Sequence, residues 1–439
     1  MYSKKASSLL ASVKASIGDR IRIIREGKQY EGLVMPRIEV GDQNCIVIKL
    51  DSGYNVGIDA STIKKISLIE KAKEKKKEAK PEDVKPSEQD IVILGCGGTI
   101  ASKVEYKTGA VYPAITPEEL ISLVPQLQKK RIRSRTLFSL FSEDMAPKHW
   151  QLIAKEIEKE YKRGAKGIIL MHGTDTMHYT AAALSFMIKT PIPIVLVGAQ
   201  RSSDRGSSDN QMNLSAAIAA AETDIAEVMV CMHASTSDDF CHLHRGTKVR
   251  KLHTSRRDAF QSVNVKPLAK VFNETGKIEL LNESYNKRNS SKLEIDTRIN
   301  PNVGLIYTYP GIKNEFVKSL SKFYEGVVIA GTGLGHVPTN PFNDPLGSSI
   351  LPAIKNLAKE EIPMIMAPQT IFGRLNMNIY SSGRALLLAG VIGNYCDWTP
   401  ETATVKLMIA LGRYKKIDDV KKFMLTNVAG EISERSEVI

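Results

Sequence analysis

The chain lacks any unbroken apolar run of about 18 residues, the length a membrane-crossing helix needs. Its first segment, MYSKKASSLL, has no long apolar stretch behind the lysines. Both absences point away from membranes and secretion, and a cytoplasmic location is the expectation. Cysteine is scarce too: five among 439 residues, an odd number at irregular spacing. That leaves no disulfide framework and suits a reducing compartment. Acidic residues fall short of basic ones, 48 against 61, for a net charge of +13. Such a surface favours polyanions, nucleic acid among them, although lysine-rich solvated surfaces are also common in heat-adapted proteins.

What is present divides into units, as a length well beyond the usual ~150 residues of one domain requires. Residues 71–90, KAKEKKKEAKPEDVKPSEQD, contain almost no large apolar side chain and read as a charged linker. Ahead of it, residues 1–70 carry short β-rich runs such as Arg20–Ile24 and Cys45–Leu50 between Gly and Asp turns, the pattern of a small all-β, SH3-like barrel. Behind it, the runs IVILG, GIILMHG, IPIVLVGAQ, EVMVCMH, VGLIYTY, GVVIAGTG and IPMIMAP alternate with helical stretches. Among the latter are APKHWQLIAKEIEKEYKRG, closing at Gly164, and MNLSAAIAAAETD. The alternation predicts an α/β body with a parallel sheet. A polar stretch, residues 282–302, splits that body into α/β domains 91–290 and 291–439.

The run IVILGCGGTIASK, Ile91–Lys103, offers a thiol at Cys96 and a hydroxyl at Thr99. A Walker loop needs a lysine directly after its last glycine, where Thr99 stands, and a dinucleotide turn needs a small residue where Ile100 stands. What remains is a glycine loop at the carboxyl end of a strand, where ligands bind in open α/β sheets. A second loop, MHGTDTMHYTAAALSF, presents Thr174, Asp175 and Thr176. A threonine hydroxyl attacks only when a neighbour takes its proton, and HRGTKVRKLHTSRRDAFQSVN supplies lysines. Asp175 would hold the Lys251 ammonium, while burial would lower its pKa from about 10.4. Spacing alone does not separate Lys251 from Lys248. Cys231, His233, Cys241, His242 and His244 are metal-ligand types, but their spacing matches no usual zinc pattern, so no metal is expected.

The motifs GCGGTIA, HGTDTM, GAQR and AFQSVN, in this order, resemble the bacterial-type L-asparaginase family, whose paired motifs are TGGTIA and HGTDTM. The resemblance runs from about residue 91 to 430 and implies a two-domain asparaginase-like body that hydrolyses a side-chain amide through an acyl-enzyme. It makes Thr99 the nucleophile, with Cys96 a small buried residue in the place of the motif's structural first threonine. Thr174 becomes the second hydroxyl, Asp175 its carboxylate partner and Lys251, placed by AFQSVN, the lysine. The family's Ser-Gln-Asp falls on Ser142, Glu143 and Asp144, so Glu143 departs from it. Gly98 and Gly173 would line the substrate, with Asp144 and Asp175 toward its ammonium and Ser142 toward its carboxylate. The assisting tyrosine is Tyr112 or Tyr106. GTGLGH, Gly331–His336, becomes a loop near the site with His336 behind it, and the family's intimate dimers imply a homodimer.

Barrel plus linker plus body resembles one branch, the D subunits of archaeal Glu-tRNA(Gln) amidotransferases. That implies a glutaminase without a cofactor of its own, whose ammonia passes to the amidotransferase's E subunit. The E subunit would use ATP and Mg²⁺ to convert Glu-tRNA(Gln) to Gln-tRNA(Gln) within a heterotetramer. A stand-alone L-asparaginase needs neither barrel nor linker. An inactive RNA-binding scaffold would lack a nucleophile or its partner, and none is missing. Glutamine and asparagine differ by one methylene, which pocket depth must distinguish.

Overall fold

A computed structural model of the chain describes residues 2–35, 42–50, 55–71, 91–98, 102–104, 111–113, 132–201 and 208–435. The first unit contains β1 (Arg20–Arg25), β2 (Lys28–Val34), β3 (Cys45–Lys49), β4 (Asn55–Asp59) and β5 (Lys65–Glu70), an antiparallel sheet of order β4-β3-β2-β1-β5. Strand alternation places Ile21, Ile23, Ile46 and Ile48 in its core while the arginines of β1 face outward. A helix that the sequence reading did not include, Lys4–Ser12, precedes the strands. Ala6 and Leu10, four residues apart on one helical face, complete the same core. The linker from residue 72 to 90 lies outside the described residues.

The next strands are β6 (Ile91–Gly97), the hairpin pair β7 (Ser102–Val104) and β8 (Val111–Pro113), β9 (Ile132–Leu140), β10 (Gly167–Met171), β11 (Ile188–Lys189), β12 (Ile194–Val197) and β13 (Val228–His233). There follow β14 (Phe240–Arg245), β15 (Val249–Lys251), β16 (Phe260–Ser262), β17 (Ala269–Phe272), β18 (Ile278–Leu280) and β19 (Glu294–Ile295). The main sheet has the order β18-β17-β14-β13-β12-β10-β6-β9. From β9 to β13 neighbours are parallel, as the alternating pattern predicts. Beyond β13 the sheet turns antiparallel, because the few residues between β13 and β14 are too short for a crossover helix.

Both faces of the parallel part are covered. Val92, Leu94, Ile168, Leu170, Ile194 and Leu196 pack toward helices Pro147–Lys162 and Met177–Met187. The alternate residues Ile91, Ile93, Ile169, Met171, Val195 and Val197 pack toward helix Asn210–Ala221. Burial on both sides explains why these strands read as continuous apolar runs.

The last sheet, β20 (Val303–Tyr307), β21 (Gly326–Gly331) and β22 (Met364–Pro368), is parallel. Helices Leu351–Lys359 and Ser381–Leu388 cover one face, and Pro400–Arg413 and Ile417–Leu425 the other. From Pro400–Arg413 itself, Lys406 forms a fully buried ion pair with Glu431. The Lys406 ammonium also donates to the carbonyls of Met424 at 2.8 Å and Thr426 at 2.6 Å. The rings of Phe186, Trp398 and Phe423 surround it at 5.5–5.9 Å. Phe186 comes from helix Met177–Met187, so this charge sits where the two α/β sheets' helices meet. Among the described residues no helix is long and apolar enough to cross a membrane.

Removing one member of such a pair strands the other without solvent. Glu431→Ala should lower unfolding free energy by about 3–5 kcal/mol in denaturant titration, whereas an apolar replacement of both residues should recover most of the loss.

Candidate active site

β6 and β10 run parallel in register, Gly95 opposite Met171, so their carboxyl ends emerge side by side. Gly97 and Gly98 then turn into the left-handed region, φ +86° and +87°. A Cβ on Gly98 would stand 2.3 Å from the backbone of Gly173, and one on Gly173 would stand 2.7 Å from the Ser142 Cβ. Gly98 and Gly173 therefore meet backbone to backbone, and the Ser142 side chain packs onto Gly173, because neither glycine carries a side chain. Ser142 opens a 3₁₀ turn, Ser142–Asp144, and is buried, while Glu143 and Asp144 are not. The Ser142 hydroxyl accepts the Asp175 N–H at 3.2 Å, and its carbonyl accepts the Thr176 hydroxyl at 2.6 Å. This ties the second glycine loop to the turn.

Lys251 reaches the same loop from β15. Its ammonium donates to the Thr174 hydroxyl at 2.9 Å and to the Asp175 carboxylate at 2.7 Å. The Lys251 side chain is 9% exposed and that of Asp175 63%. The ammonium and hydroxyl thus lie inside, while the carboxylate opens to solvent. A lysine ammonium only donates, so the Thr174 hydroxyl keeps its own proton free to point elsewhere. Of the two lysines the spacing left open, Lys251 meets Thr174, whereas Lys248 is fully buried, 2.9 Å from the Asp397 carboxylate. Thr99 and Tyr106 lie outside the described residues, and of Tyr112 only its strand is described. Cys96 is 1% exposed, and burial pushes its thiol up to about 12.

Two features lay beyond the sequence reading. The His172 ring, buried behind the loop, contacts the Gly173 carbonyl through Nδ1 at 2.6 Å and the Thr180 hydroxyl through Nε2 at 2.9 Å. The Trp150 indole N–H donates to the same hydroxyl at 3.0 Å. Indole can only donate and a carbonyl only accept, so the chain runs from Trp150 through Thr180 and neutral His172 to Gly173. Burial agrees, lowering His172 to about 4. The motif marked His172, but nothing in sequence marked Trp150 or Thr180 as its partners. The second feature is the Arg250–Glu401 ion pair, at 2.8 Å, beside Lys251. His336 packs edge-on against Tyr380. The His233 ring and Cys241 thiol both turn to the Asn213 carbonyl, at 2.5 and 3.4 Å.

Fold and paired glycine loops together define an asparaginase-type body. The profile of the asparaginase N-terminal domain matches residues 90–286, that of the glutaminase/asparaginase C-terminal domain residues 302–424, and that of the GatD N-terminal domain residues 15–69. The thermostable L-asparaginase from Thermococcus kodakarensis superposes with a TM-score of 0.69 at 28% identity, over 79% of this chain and 99% of that one. L-asparaginase I from Vibrio cholerae gives 0.67 at 30% identity with the same coverage. The D subunit of the glutamyl-tRNA(Gln) amidotransferase of Pyrococcus horikoshii is 49% identical over 98% of both chains. Its namesake in Methanobrevibacter smithii is 46% identical over 100% of this chain and 98% of its own. The chain belongs to the family of glutamyl-tRNA(Gln) amidotransferase D subunits.

Gly98→Ala both strains φ and forces the Gly173 backbone away. Its melting temperature should fall and amide hydrolysis should be lost even well below that temperature. Alkylation mapped by mass spectrometry at pH 8 should leave Cys96 unmodified until the chain unfolds.

Proposed function

We propose that this chain is the glutaminase component of a Glu-tRNA(Gln) amidotransferase. The observation that carries the reading is the contact of Lys251 with both Thr174 and Asp175, on a loop stacked against the glycine that precedes Thr99. In this reading the carboxamide of glutamine lies between the two loops. Thr99 Oγ1 attacks its carbon, and the Thr99 proton passes by way of Thr174 and Lys251 to the leaving nitrogen. Ammonia departs, an ester to Thr99 remains, and water cleaves it to glutamate. Backbone N–H groups of the glycine loops hold the oxyanion; losing one such donor typically costs about 3–4 kcal/mol of barrier.

Asp144 and the open carboxylate of Asp175 receive the substrate ammonium, and the Ser142 hydroxyl faces its carboxylate. Tyr112 or Tyr106 assists Thr99. The chain uses no cofactor; ATP and Mg²⁺ act on the partnering E subunit, which takes up the ammonia and amidates Glu-tRNA(Gln). Two copies of the chain pair within a heterotetramer in the cytoplasm. A second reading, a free-standing L-asparaginase, is favoured by the solved relatives of the body. Against it stands the amino-terminal unit, which matches the GatD N-terminal profile. An inactive RNA-binding scaffold would have no need of the paired Lys251, Thr174 and Asp175.

Ammonia release from glutamine and from asparagine, with and without the E subunit and Glu-tRNA(Gln), separates these readings. Glutamine should be preferred and release should rise with the partner and tRNA; equal asparagine hydrolysis by the chain alone favours the second. Thr99→Ala should abolish release and Cys96→Ala should not. Lys251→Met should lower kcat by about 10²–10⁴-fold, the usual worth of a proton-transfer group.

A further inference from the structure

Lys251 stands on a ribbon outside the ladder of the main sheet, which touches it through the His244 ring and the Ser262 hydroxyl, 2.8 Å apart. β15 pairs with β16 alone, Lys251 opposite Phe260, and this two-stranded sheet is separate from the eight-stranded one. On β15, Val249 enters the core beneath helix Met177–Met187, and strand alternation turns Arg250 to the opposite face. There the ribbon meets one short segment of the carboxyl-terminal α/β unit, residues 397–402. Lys248 pairs with Asp397 at 2.9 Å, both side chains fully buried. Arg250 grips Glu401 through two nitrogens, at 2.9 Å and 2.8 Å. The Thr402 hydroxyl donates to the Thr247 carbonyl at 3.0 Å, and the Asn264 amide just past β16 donates to the Asp397 carbonyl at 2.8 Å. The contacts that run up to Lys251 along β15 thus come from outside its own two-stranded sheet.

We propose that Asp397 and Glu401 are positioning residues for Lys251: acting through Lys248 and Arg250, they fix the ribbon so that the ammonium meets Thr174 and Asp175. The carboxyl-terminal unit thereby sets the competence of a proton relay to which it gives no reacting group. The inference rests on Lys251 serving that relay. It is the alignment of Lys251, rather than the affinity for the amide substrate, that the two carboxylates control.

Glu401→Gln and Asp397→Asn, in the full chain with its partner protein, test this with two readouts. Steady-state glutamine hydrolysis should show kcat reduced about tenfold or more with KM changed less than twofold. Amine-directed labelling mapped by mass spectrometry should show Lys251 reacting severalfold faster than in the parent. Glu401→Gln retains hydrogen bonding at a partly open pair, so it serves if the buried Asp397→Asn chain does not fold. Unchanged kcat together with unchanged Lys251 labelling in folded Glu401→Gln overturns the proposal. Full activity of Lys251→Met would instead overturn the relay, and the labelling readout would still report whether the clamp places the amine.

Discussion

Two stretches of backbone touch at Gly98 and Gly173, and a methyl group on Gly98 would push them apart. Everything at the candidate site descends from that contact. β6 and β10 deliver their ends side by side, yet parallel neighbours with ordinary side chains would leave a gap at the strand ends. Glycine at both positions closes it, Ser142 packs onto the far side, and its hydroxyl and carbonyl hold the loop that carries Thr174 and Asp175. The left-handed turn at Gly97 and Gly98 is the conformational cost of this arrangement, and glycine is the residue for which it is smallest.

The polar groups around this contact are sorted by access to water. Thr174 and the Lys251 ammonium are enclosed, His172 is deeply buried and neutral, and Asp175 looks outward. An enclosed hydroxyl beside a fixed cation suits proton movement, since no bulk water competes for its lone pairs. An exposed carboxylate suits capture of a charged group arriving from solution. Burial likewise disfavours the Cys96 thiolate, the form in which a cysteine attacks.

Much of this was legible in the chain because the period of the apolar residues matched the burial. The strands IVILG, GIILMHG and EVMVCMH are covered on both faces, so no polar alternation interrupts them. The paired motifs marked Thr174, Asp175 and the two glycines. Less legible was the antiparallel end of the sheet, where β14 carries histidines on a half-covered face and resembles no buried strand. Helix Lys4–Ser12 is short and shows only Ala6 and Leu10 as buried positions. Spacing alone did not separate Lys248 from Lys251, and only the resemblance at AFQSVN favoured Lys251; the partner that holds Lys248 elsewhere, Asp397, lies 149 residues away. Trp150 and Thr180 escaped for a related reason: a hydrogen bond across 30 residues leaves no periodic trace.

That separation of 149 residues also orders events on the ribosome. The eight-stranded sheet is complete in sequence at Leu280, long before Asp397 and Glu401 are synthesised. Until they emerge, Lys248 would bury a charge without a counterion, so its ribbon remains hydrated and loose. A nascent chain can therefore complete the strands of its larger sheet while the carboxylates that face its ribbon are still to come.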